Sequence, residues 1–209
     1  QDAFDLADRY RTPVMVLGDG LIGQMMEPVD MDQAADRKPA EDLPEKTWAA
    51  TGHKATEEAP RAIINSLYID PVVLEQHCQK LQAKYDAIEA AECRWQEEML
   101  EDAEIVIVAY GTTARIARSA MRKCREKGIK VGMIRPITLW PFPTKALRAA
   151  ADKCKAFVSV ELSMGQMIED VRLATGCKKP VSLCNRCGGM IPSPDEVLDS
   201  IRKATKGEY

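Results

Sequence analysis

The chain has 209 residues, of which 45% are hydrophobic and 29% charged, with a formal net charge of −3. This balance allows a packed core and disfavours nucleic acid as a partner, because phosphate backbones select basic surfaces. The sequence contains no apolar run near the ~20 residues that cross a bilayer, so we expect no membrane association.

Seven cysteines, an odd number without the spacing of a disulfide framework, indicate a reducing cytoplasm. The chain begins at Gln1 inside a helical pattern, so we expect it to be a piece of something longer rather than to carry a signal peptide. These features predict a cytoplasmic protein.

Residues 1–29 predict a helix and then a strand, because the apolar run "PVMVLGDG" ends in Gly and Asp as buried parallel strands often do. This strand has no sheet within its own segment. We therefore expect residues 1–29 to be disordered, to pair with a second copy, or to pack on the long helix that follows. Residues 30–70 lack periodicity and predict a long irregular excursion.

Residues 71–101 predict one long helix. Asp70 is placed to cap it and Pro71 suits its first position. An apolar stripe, broken only by an acid, follows a spacing of four and three and comprises Leu74, Cys78, Leu81, Tyr85, Ile88, Glu92, Trp95 and Met99. Such a stripe packs either on the helix's own domain or along a seam between subunits.

Residues 103–205 alternate four times between a strand and a helix, from "AEIVIVAYG" to "SPDEVLDSIRKAT". We predict an α/β fold of three layers, with a mostly parallel sheet and helices on both faces. The helices are predicted to close at Gly128 and Gly176 and the last to start at Ser193. We predict three parts, with an N-terminal piece at 1–29, a linker and long helix at 30–102, and the α/β domain at 103–209.

Ligands of such sheets bind beyond the carboxyl ends of the strands. The candidate residues there are Gly111, Thr112, Thr113, Arg135 and Glu161. Either threonine is able to cap the next helix, and the helix start is a potential anion site, although an ordinary capped turn explains "GTT" as well. The pattern lacks both the dinucleotide fingerprint and the P-loop. Arg135 and Glu161 are predicted to pair across the strand ends or to face a partner subunit.

"CNRC", residues 184–187, is a single C-x-x-C pair. Metal binding requires further ligands, Cys177 lies seven residues away, and the two histidines, His53 and His77, are far upstream. We expect no metal site, and a redox dithiol is disfavoured because Gly188 and Gly189 follow in place of a helix. With two histidines and no nucleophile constellation, we assign no catalytic residue.

The stretch "IVIVAYGTTARIARSAMRKCREKGIKVGMIRPITLWPFP", followed by "VSVELSMGQMIEDVR", resembles the transketolase C-terminal-type domain and, more closely, domain II of the 2-oxoacid:ferredoxin oxidoreductases. "FDLADRYRTPVMVLGDGLIGQMMEPV" resembles the end of their pyrimidine-binding domain I. The order of the two pieces is similar to an α subunit of the 2-ketoisovalerate type. The resemblance covers nearly the whole chain and is weakest over residues 30–100.

The resemblance implies oxidative decarboxylation of a 2-oxoacid to acyl-CoA and CO2, with electrons passing to ferredoxin. The whole enzyme is expected to use thiamine diphosphate, Mg²⁺, iron–sulfur clusters and coenzyme A. It is also expected to contain thiamine-binding, gamma and ferredoxin-like subunits. Because most of domain I is missing, no cofactor contact transfers to this chain, which we expect to be a packing domain inactive alone. A different thiamine enzyme (a transketolase or a dehydrogenase E1 β chain) and a non-catalytic assembly domain stay open.

The resemblance also gives "IRPITLWPFP" a place between a strand and the next helix. Pro136 biases Arg135 toward extended backbone, and Pro143 suits the first turn of the helix. The prolines are expected to fix an apolar trio that buries under the domain or against its neighbour, namely Leu139, Trp140 and Phe142.

Overall fold

The computed structural model describes residues 2–31, 42–43, 45–52, 56 and 60–209. Contacts divide the chain into two units, one of Gln1–Leu17 with Met26–Ile88 and the other of Gly18–Met25 with Glu89–Tyr209. His53 lies outside the described residues. The predicted boundaries at 29 and 102 stay a prediction, but residues Gly18–Met25 belong with the C-terminal unit.

The first unit contains helix α1 (Asp2–Tyr10) and most of helix α3 (Pro71–Glu92). The Asp70 carboxylate accepts hydrogen bonds from the backbone N–H groups of Val72 and Val73, which confirms the predicted cap. Within the irregular excursion the Arg11 guanidinium lies 4.7 Å from the centre of the Trp48 ring, and the rings of Tyr68 and His77 stack at 4.5 Å. Among its described residues, the excursion is held by these aromatic contacts and by an ion pair between Lys46 and Asp8.

The second unit holds a five-stranded sheet. Its elements in chain order are α2 (Gly20–Gln24), β1 (Trp95–Glu98), β2 (Ile105–Ala109), α4 (Gly111–Glu126), β3 (Val131–Pro136), α5 (Thr144–Ala151), β4 (Ala156–Glu161), α6 (Met167–Ala174), β5 (Val181–Asn185) and α7 (Pro194–Lys206). The strand order is β1-β3-β2-β4-β5, and all neighbours are parallel except β1 with β3. The predicted α/β fold with a mostly parallel sheet is confirmed.

The two sheet faces carry separate cores because alternate residues of a strand point to opposite sides. Ile105 and Ile107 pack with helices α4 and α7 on one face, whereas Val106 and Val108 pack with α5 and α6 on the other. Every residue of β2 and of β4 is buried, as expected for central parallel strands covered on both sides. Helices therefore lie on both faces, as predicted.

Helix ends follow the local sequence closely in this unit. The Ser193 side chain accepts a hydrogen bond from the Glu196 N–H, and the Glu196 carboxylate accepts one from the Ser193 N–H, which completes a capping box before Pro194. Gly128 follows helix α4 and Gly176 follows α6, and both adopt positive φ. These predicted boundaries are confirmed.

The predicted helix over residues 71–101 is wrong beyond Glu92. Helix α3 ends there, and Trp95 and Met99 fall outside it because residues 95–98 pair antiparallel with β3. Good helix formers in "QEEML" are overridden by main-chain pairing with a strand whose partner residues lie 35 to 41 positions later in the sequence. Of the remaining stripe, Ile88 and Glu92 are buried.

The predicted strand in "PVMVLGDG" is also not formed. Residues 13–19 have no regular hydrogen-bonded structure, and the side chains of Met15 and Val16 are 80% and 85% exposed. A strand needs a neighbour to satisfy its N–H and C=O groups, and none is present in the described part of the chain. At Arg11 the segment meets helix α3, since the Lys84 ammonium donates a 3.3 Å hydrogen bond to the Arg11 carbonyl.

The proline-rich segment joins β3 to α5. Pro136 ends the strand and Pro143 precedes the first helical residue, as the sequence predicts. The Thr138 hydroxyl donates a 2.7 Å hydrogen bond to the Pro141 carbonyl and accepts one from the Arg94 N–H, so the loop is tied to β1. Phe142 packs on the core, whereas Trp140 is 53% exposed in this chain, contrary to burial under its own domain.

Within the described residues, no helix combines the length and apolar character needed to cross a membrane.

Candidate functional site

Helix α4 begins directly after the buried strand β2, and a carboxylate from far away in sequence closes its N-terminus. The Asp19 carboxylate accepts hydrogen bonds from the Thr112 N–H at 3.3 Å and the Thr112 hydroxyl at 3.0 Å. The same carboxylate accepts a 2.9 Å hydrogen bond from the Ile22 N–H and so caps helix α2. One side chain therefore satisfies donors at the starts of two helices.

Gly111 makes this approach possible. Its φ is +58°, a conformation that side chains disfavour, and a Cβ there would lie 3.4 Å from an Asp19 carboxylate oxygen. The distance is ordinary contact, so the positive φ rather than crowding makes glycine favourable. The strand-to-helix turn is thereby able to present the Thr112 N–H to Asp19.

The prediction that Thr112 or Thr113 caps helix α4 is wrong. Tyr110 occupies the cap position without a side-chain bond, and both threonines already lie within the helix. The Thr113 hydroxyl donates to the Tyr110 carbonyl at 2.8 Å, and Thr112 donates to Asp19. Both threonines are buried, and they lie two and three residues beyond the cap position, which Tyr110 occupies.

Glu161 closes the start of helix α6 in the same way but from a local position. It is 3% exposed and accepts five hydrogen bonds of 2.7 to 2.9 Å. The donors are two hydroxyls and three backbone N–H groups, belonging to Ser159, Ser163, Gln166, Met167 and Ile168. A buried carboxylate is thus stabilised by the positive end of a helix dipole and by hydroxyl donors.

Arg135 and Glu161 do not pair, so the first of the two predicted alternatives is wrong, and the second, that they face a partner subunit, stays a prediction. They end strands β3 and β4, which are separated by β2, and each has other partners. The Arg135 guanidinium donates a 2.9 Å hydrogen bond to the Gln96 side chain, and its Nε is buried with no partner in the described residues. Strands β3 and β4 follow each other in the sequence, which suggests that they are neighbours in the sheet. The sequence does not show that β2 lies between them.

The negative charges of both capping carboxylates, Asp19 and Glu161, act on the Tyr110 phenol. Burial raises the pKa of this phenol, and the negative charges of Glu161 and Asp19 raise it further. Burial likewise raises the pKa of Asp170, together with the charges of Glu169 and Glu161. Burial and nearby carboxylates therefore oppose deprotonation of both groups, as the raised pKa values of Tyr110 and Asp170 show.

The C-x-x-C pair does not form a metal site in the described residues. Cys184 is buried on the core face of β5, and burial raises the pKa of its thiol, whereas Cys187 is exposed beside Gly188. No cluster of three or more His, Cys, Asp or Glu side chains suited to a metal ion occurs in the part of the chain that the structure describes. All seven cysteines are free thiols.

This arrangement does not fit a phosphate-bearing cofactor at the strand ends. An anion would bind at the N-termini of α4 and α6, but Asp19 already accepts the Thr112 N–H, Glu161 accepts three N–H groups at the start of α6, and both carboxylates would repel a diphosphate. The described residues also do not fit an iron–sulfur cluster, which requires several thiolates together. The use of the strand ends as a cofactor-binding surface stays a prediction for Gly111, Thr112, Thr113, Arg135 and Glu161.

Sequence reasoning missed Asp19 and Tyr110. The signal for Asp19 was present, since Asp before a short Gly-rich helical segment is a common cap, but the apolar run before it favoured a strand. Its second partner, Thr112, is 93 residues away, and no local pattern indicates that contact. The effect of the Glu161 charge on Tyr110 likewise depends on the strand order.

Comparison of the chain with known proteins identifies the family to which it is similar. Residues 103–197 match the pyruvate:ferredoxin oxidoreductase core domain II. The ketoisovalerate oxidoreductase subunit VorB of Methanothermobacter marburgensis is 45% identical over 97% of this chain and 55% of its own length. The 2-oxoglutarate synthase subunit KorA of Methanothermobacter thermautotrophicus is 30% identical over 98% of this chain and 59% of its own.

A solved structure shows the same fold. The 2-oxoglutarate:ferredoxin oxidoreductase from Magnetococcus marinus matches 97% of this chain and 39% of its own chain, with a TM-score of 0.70 and 24% identity. The chain thus spans little more than half the length of the curated relatives that it matches. Because residues 103–197 match this core domain and 97% of the chain matches VorB at 45% identity, the chain belongs to the family of 2-oxoacid:ferredoxin oxidoreductase subunits.

Proposed function

We propose that this chain is the C-terminal part of the α subunit of a thiamine-dependent oxidoreductase that acts on 2-ketoisovalerate. Such an enzyme decarboxylates the 2-oxoacid oxidatively, forms acyl-CoA and CO2, and reduces ferredoxin. The chain serves there as a structural and subunit-packing domain and is inactive alone.

One observation carries the choice of substrate. The chain is 45% identical to two ketoisovalerate oxidoreductase subunits but 30% identical to a 2-oxoglutarate synthase subunit over a similar share of its length. Both groups share the fold, so the difference in identity supports the branched-chain class rather than the fold alone.

The cofactors and partners follow from the same proposal. Thiamine diphosphate, Mg²⁺, iron–sulfur clusters and coenzyme A are held outside the residues described here, in keeping with the carboxylates that fill both helix N-termini. The partners are the thiamine-binding, gamma and ferredoxin-like subunits, and ferredoxin is reached through the complex. Seven free thiols support a reducing cytoplasm as the place of action.

The contribution of this chain is positional. Asp19 fixes the segment Gly18–Met25 to the start of helix α4, and Glu161 fixes the loop 162–166 to the start of α6. Both carboxylates order the carboxyl ends of the strands and exclude anions from them. The alternatives of another thiamine enzyme and of a non-catalytic assembly domain predict the same fold but different activity.

A chimaera tests the substrate. This chain replaces the matching 202-residue region of the Methanothermobacter marburgensis VorB subunit, which is expressed with its partner subunits. We expect 2-ketoisovalerate-dependent and CoA-dependent reduction of a viologen dye, at a rate within about tenfold of the parent. An assembled chimaera that oxidises 2-oxoglutarate instead would reject the substrate class, and one that oxidises no 2-oxoacid would favour an assembly domain.

The matched control places the chain in the corresponding region of KorA. Lower activity there than in the VorB chimaera is expected, because the packing surfaces match less well. Calorimetric titration of the isolated chain with thiamine diphosphate should give no binding at micromolar concentration. Elemental analysis should find no stoichiometric zinc or iron, since the described cysteines do not converge.

A further inference from the structure

A row of arginines follows one side of helix α4. Arg115, Arg118, Arg122 and Arg125 are spaced by three, four and three residues, which places them on one side of a helix. The buried face of the same helix carries Ala117, Met121 and other core residues, so the row flanks the core instead of entering it.

Two members of this row are anchored beside strand β1. The Arg118 guanidinium donates to both carboxylate oxygens of Glu98 at 2.9 Å. Arg125 donates to the Val131 and Met99 carbonyls and pairs with the Asp102 carboxylate at 2.6 Å. These two arginines therefore lie beside β1, the residues that follow it, and the start of β3.

Positive charge exceeds negative charge on this face. The pKa of Glu98 is lowered first by its hydrogen bonds from Arg118 and then by the charges of Arg118, Arg122 and Arg135. Only Arg118 is bonded to Glu98, while Arg122 and Arg135 act on this carboxylate by their charge alone, in a chain whose net charge is −3. The exposed Arg122 makes no ion pair with any residue that the structure describes. Such a local excess attracts an acidic partner.

The hydrogen bonding of Arg135 is a second indication that this face binds a partner. Its guanidinium contacts a neutral amide, that of Gln96, and its buried Nε finds no acceptor among the described residues. Buried donors are nearly always paired, so an unpaired one indicates a missing acceptor. An incoming carboxylate that draws the guanidinium outward by a small rotation satisfies it.

The dimensions favour an extended occupant. From Arg115 to Arg125 the row covers about 15 Å, far longer than a single phosphate group. Strand β1 pairs only with β3 in the described sheet, so its outer edge offers main-chain groups next to the row. Nucleic acid is disfavoured by the acidic composition of the chain as a whole.

We propose that the arginine face, formed by Arg118, Arg122 and Arg135 with Gln96 and Glu98, is a docking surface for an acidic segment of another protein chain. Carboxylates of that segment contact Arg122 and Arg135, and its backbone runs along β1. This surface is independent of the substrate proposed above.

The test uses the chain and a labelled peptide of about ten residues that alternates Glu and Ser, long enough to cover the row when extended. Fluorescence anisotropy at low salt should show binding that weakens as salt is added. Backbone amide shifts in NMR spectra should change at residues 95–98 and 115–125. A peptide with Gln in place of Glu should not bind.

The variant R122E should weaken binding about tenfold, because reversing one charge replaces attraction by repulsion. K203E on helix α7 is the matched control, with the same charge change at another exposed position, and should alter affinity less than about twofold. The proposal is wrong if K203E weakens binding as much as R122E or if the shifted amides lie elsewhere. Displacement by an equal concentration of inorganic phosphate, or tighter binding of duplex DNA, would also overturn it.

Discussion

A carboxylate accepts backbone hydrogen bonds at the starts of both helices α4 and α6, but the two carboxylates come from different parts of the chain. Both helices follow a buried parallel strand, and both leave N–H groups that need acceptors at the carboxyl edge of the sheet. Glu161 is the last residue of β4 and reaches the next helix across five residues, whereas Asp19 comes from 93 residues before Thr112. A local cap is part of the domain's own sequence, and a remote cap ties another segment to the domain.

The two caps also differ in burial and number of bonds. Glu161 is nearly inaccessible and holds five donors, whereas Asp19 is half-buried and holds three. Loss of a buried acceptor leaves its donors unpaired away from water, while water replaces an accessible one. Replacement of Glu161 by alanine is therefore expected to lower the free energy of unfolding more than replacement of Asp19 by alanine.

The largest expected effect comes from Glu161→Ala. It leaves three backbone N–H groups and two hydroxyls without their acceptor and should lower the free energy of unfolding by about 3 kcal/mol. Urea titration followed by circular dichroism measures this loss. Glu169→Ala, at an exposed position in the first turn of α6, is the control and should change stability little. Equal losses for the two variants would mean that the cap is not the cause.

Gly111→Ala tests the backbone that serves the remote cap. Alanine at φ +58° should cost about 1–2 kcal/mol, because the left-handed conformation crowds a Cβ against the backbone. Thermal unfolding measures the change. Gly23→Ala in helix α2 is the control, since a Cβ there meets nothing within 4 Å, and should be neutral or slightly stabilising.

Asp19→Ala should cost about 1 kcal/mol, the usual range for loss of a helix cap. It should also speed amide hydrogen exchange at Thr112. Chains that begin at Gly18 and at Met26 separate the contributions of the two parts of the N-terminal region. The first should keep the protection of Thr112, whereas the second should lose it while the domain of residues 103–209 stays folded. Loss of cooperative unfolding in the second chain would contradict this division.

The smallest effect is the pH dependence of the remote cap. Burial raises the pKa of Asp19, but hydrogen bonds from Ile22 and Thr112 outweigh it, so the net pKa is lowered. A group with a lowered folded pKa stabilises the fold above its unfolded pKa, near pH 4, and loses that contribution as the pH falls through the folded pKa. The melting temperatures of wild type and Asp19→Asn should therefore differ at neutral pH and converge in acid. A difference that persists unchanged to low pH would show that the charge of Asp19 is not involved.

Residues 103–209 were predictable because their signals are local. Apolar runs bounded by Gly128, Gly176 and Ser193 predict where strands and helices begin and end, and the structure agrees within a few residues. The predictions failed where a segment pairs with something distant. Trp95–Glu98 reads as helix but becomes a strand on β3, and "PVMVLG" reads as strand but has no partner.

The candidate site shows the same division. Glu161 and Gly111 were identified because each stands at the end of a strand, but their roles were not, since a carboxylate and a glycine at such places serve ligands and caps alike. The expected pairing of Arg135 with Glu161 failed because sequence order placed their strands side by side, whereas β2 separates them. Strand order is a tertiary property.

The sequence by itself determined the strands and helices of residues 103–205, the helix caps at Asp70 and Ser193, and the family to which the chain is similar, because these depend on neighbours in the chain. Only the tertiary structure decided that Asp19 closes helix α4, that Glu161 is buried among five donors, and that Arg118 pairs with Glu98. Each of these contacts joins groups whose approach depends on the packing of the whole sheet. Hydrogen bonds and charges act over a few ångströms in space, and distance along the chain does not reveal which groups come that close.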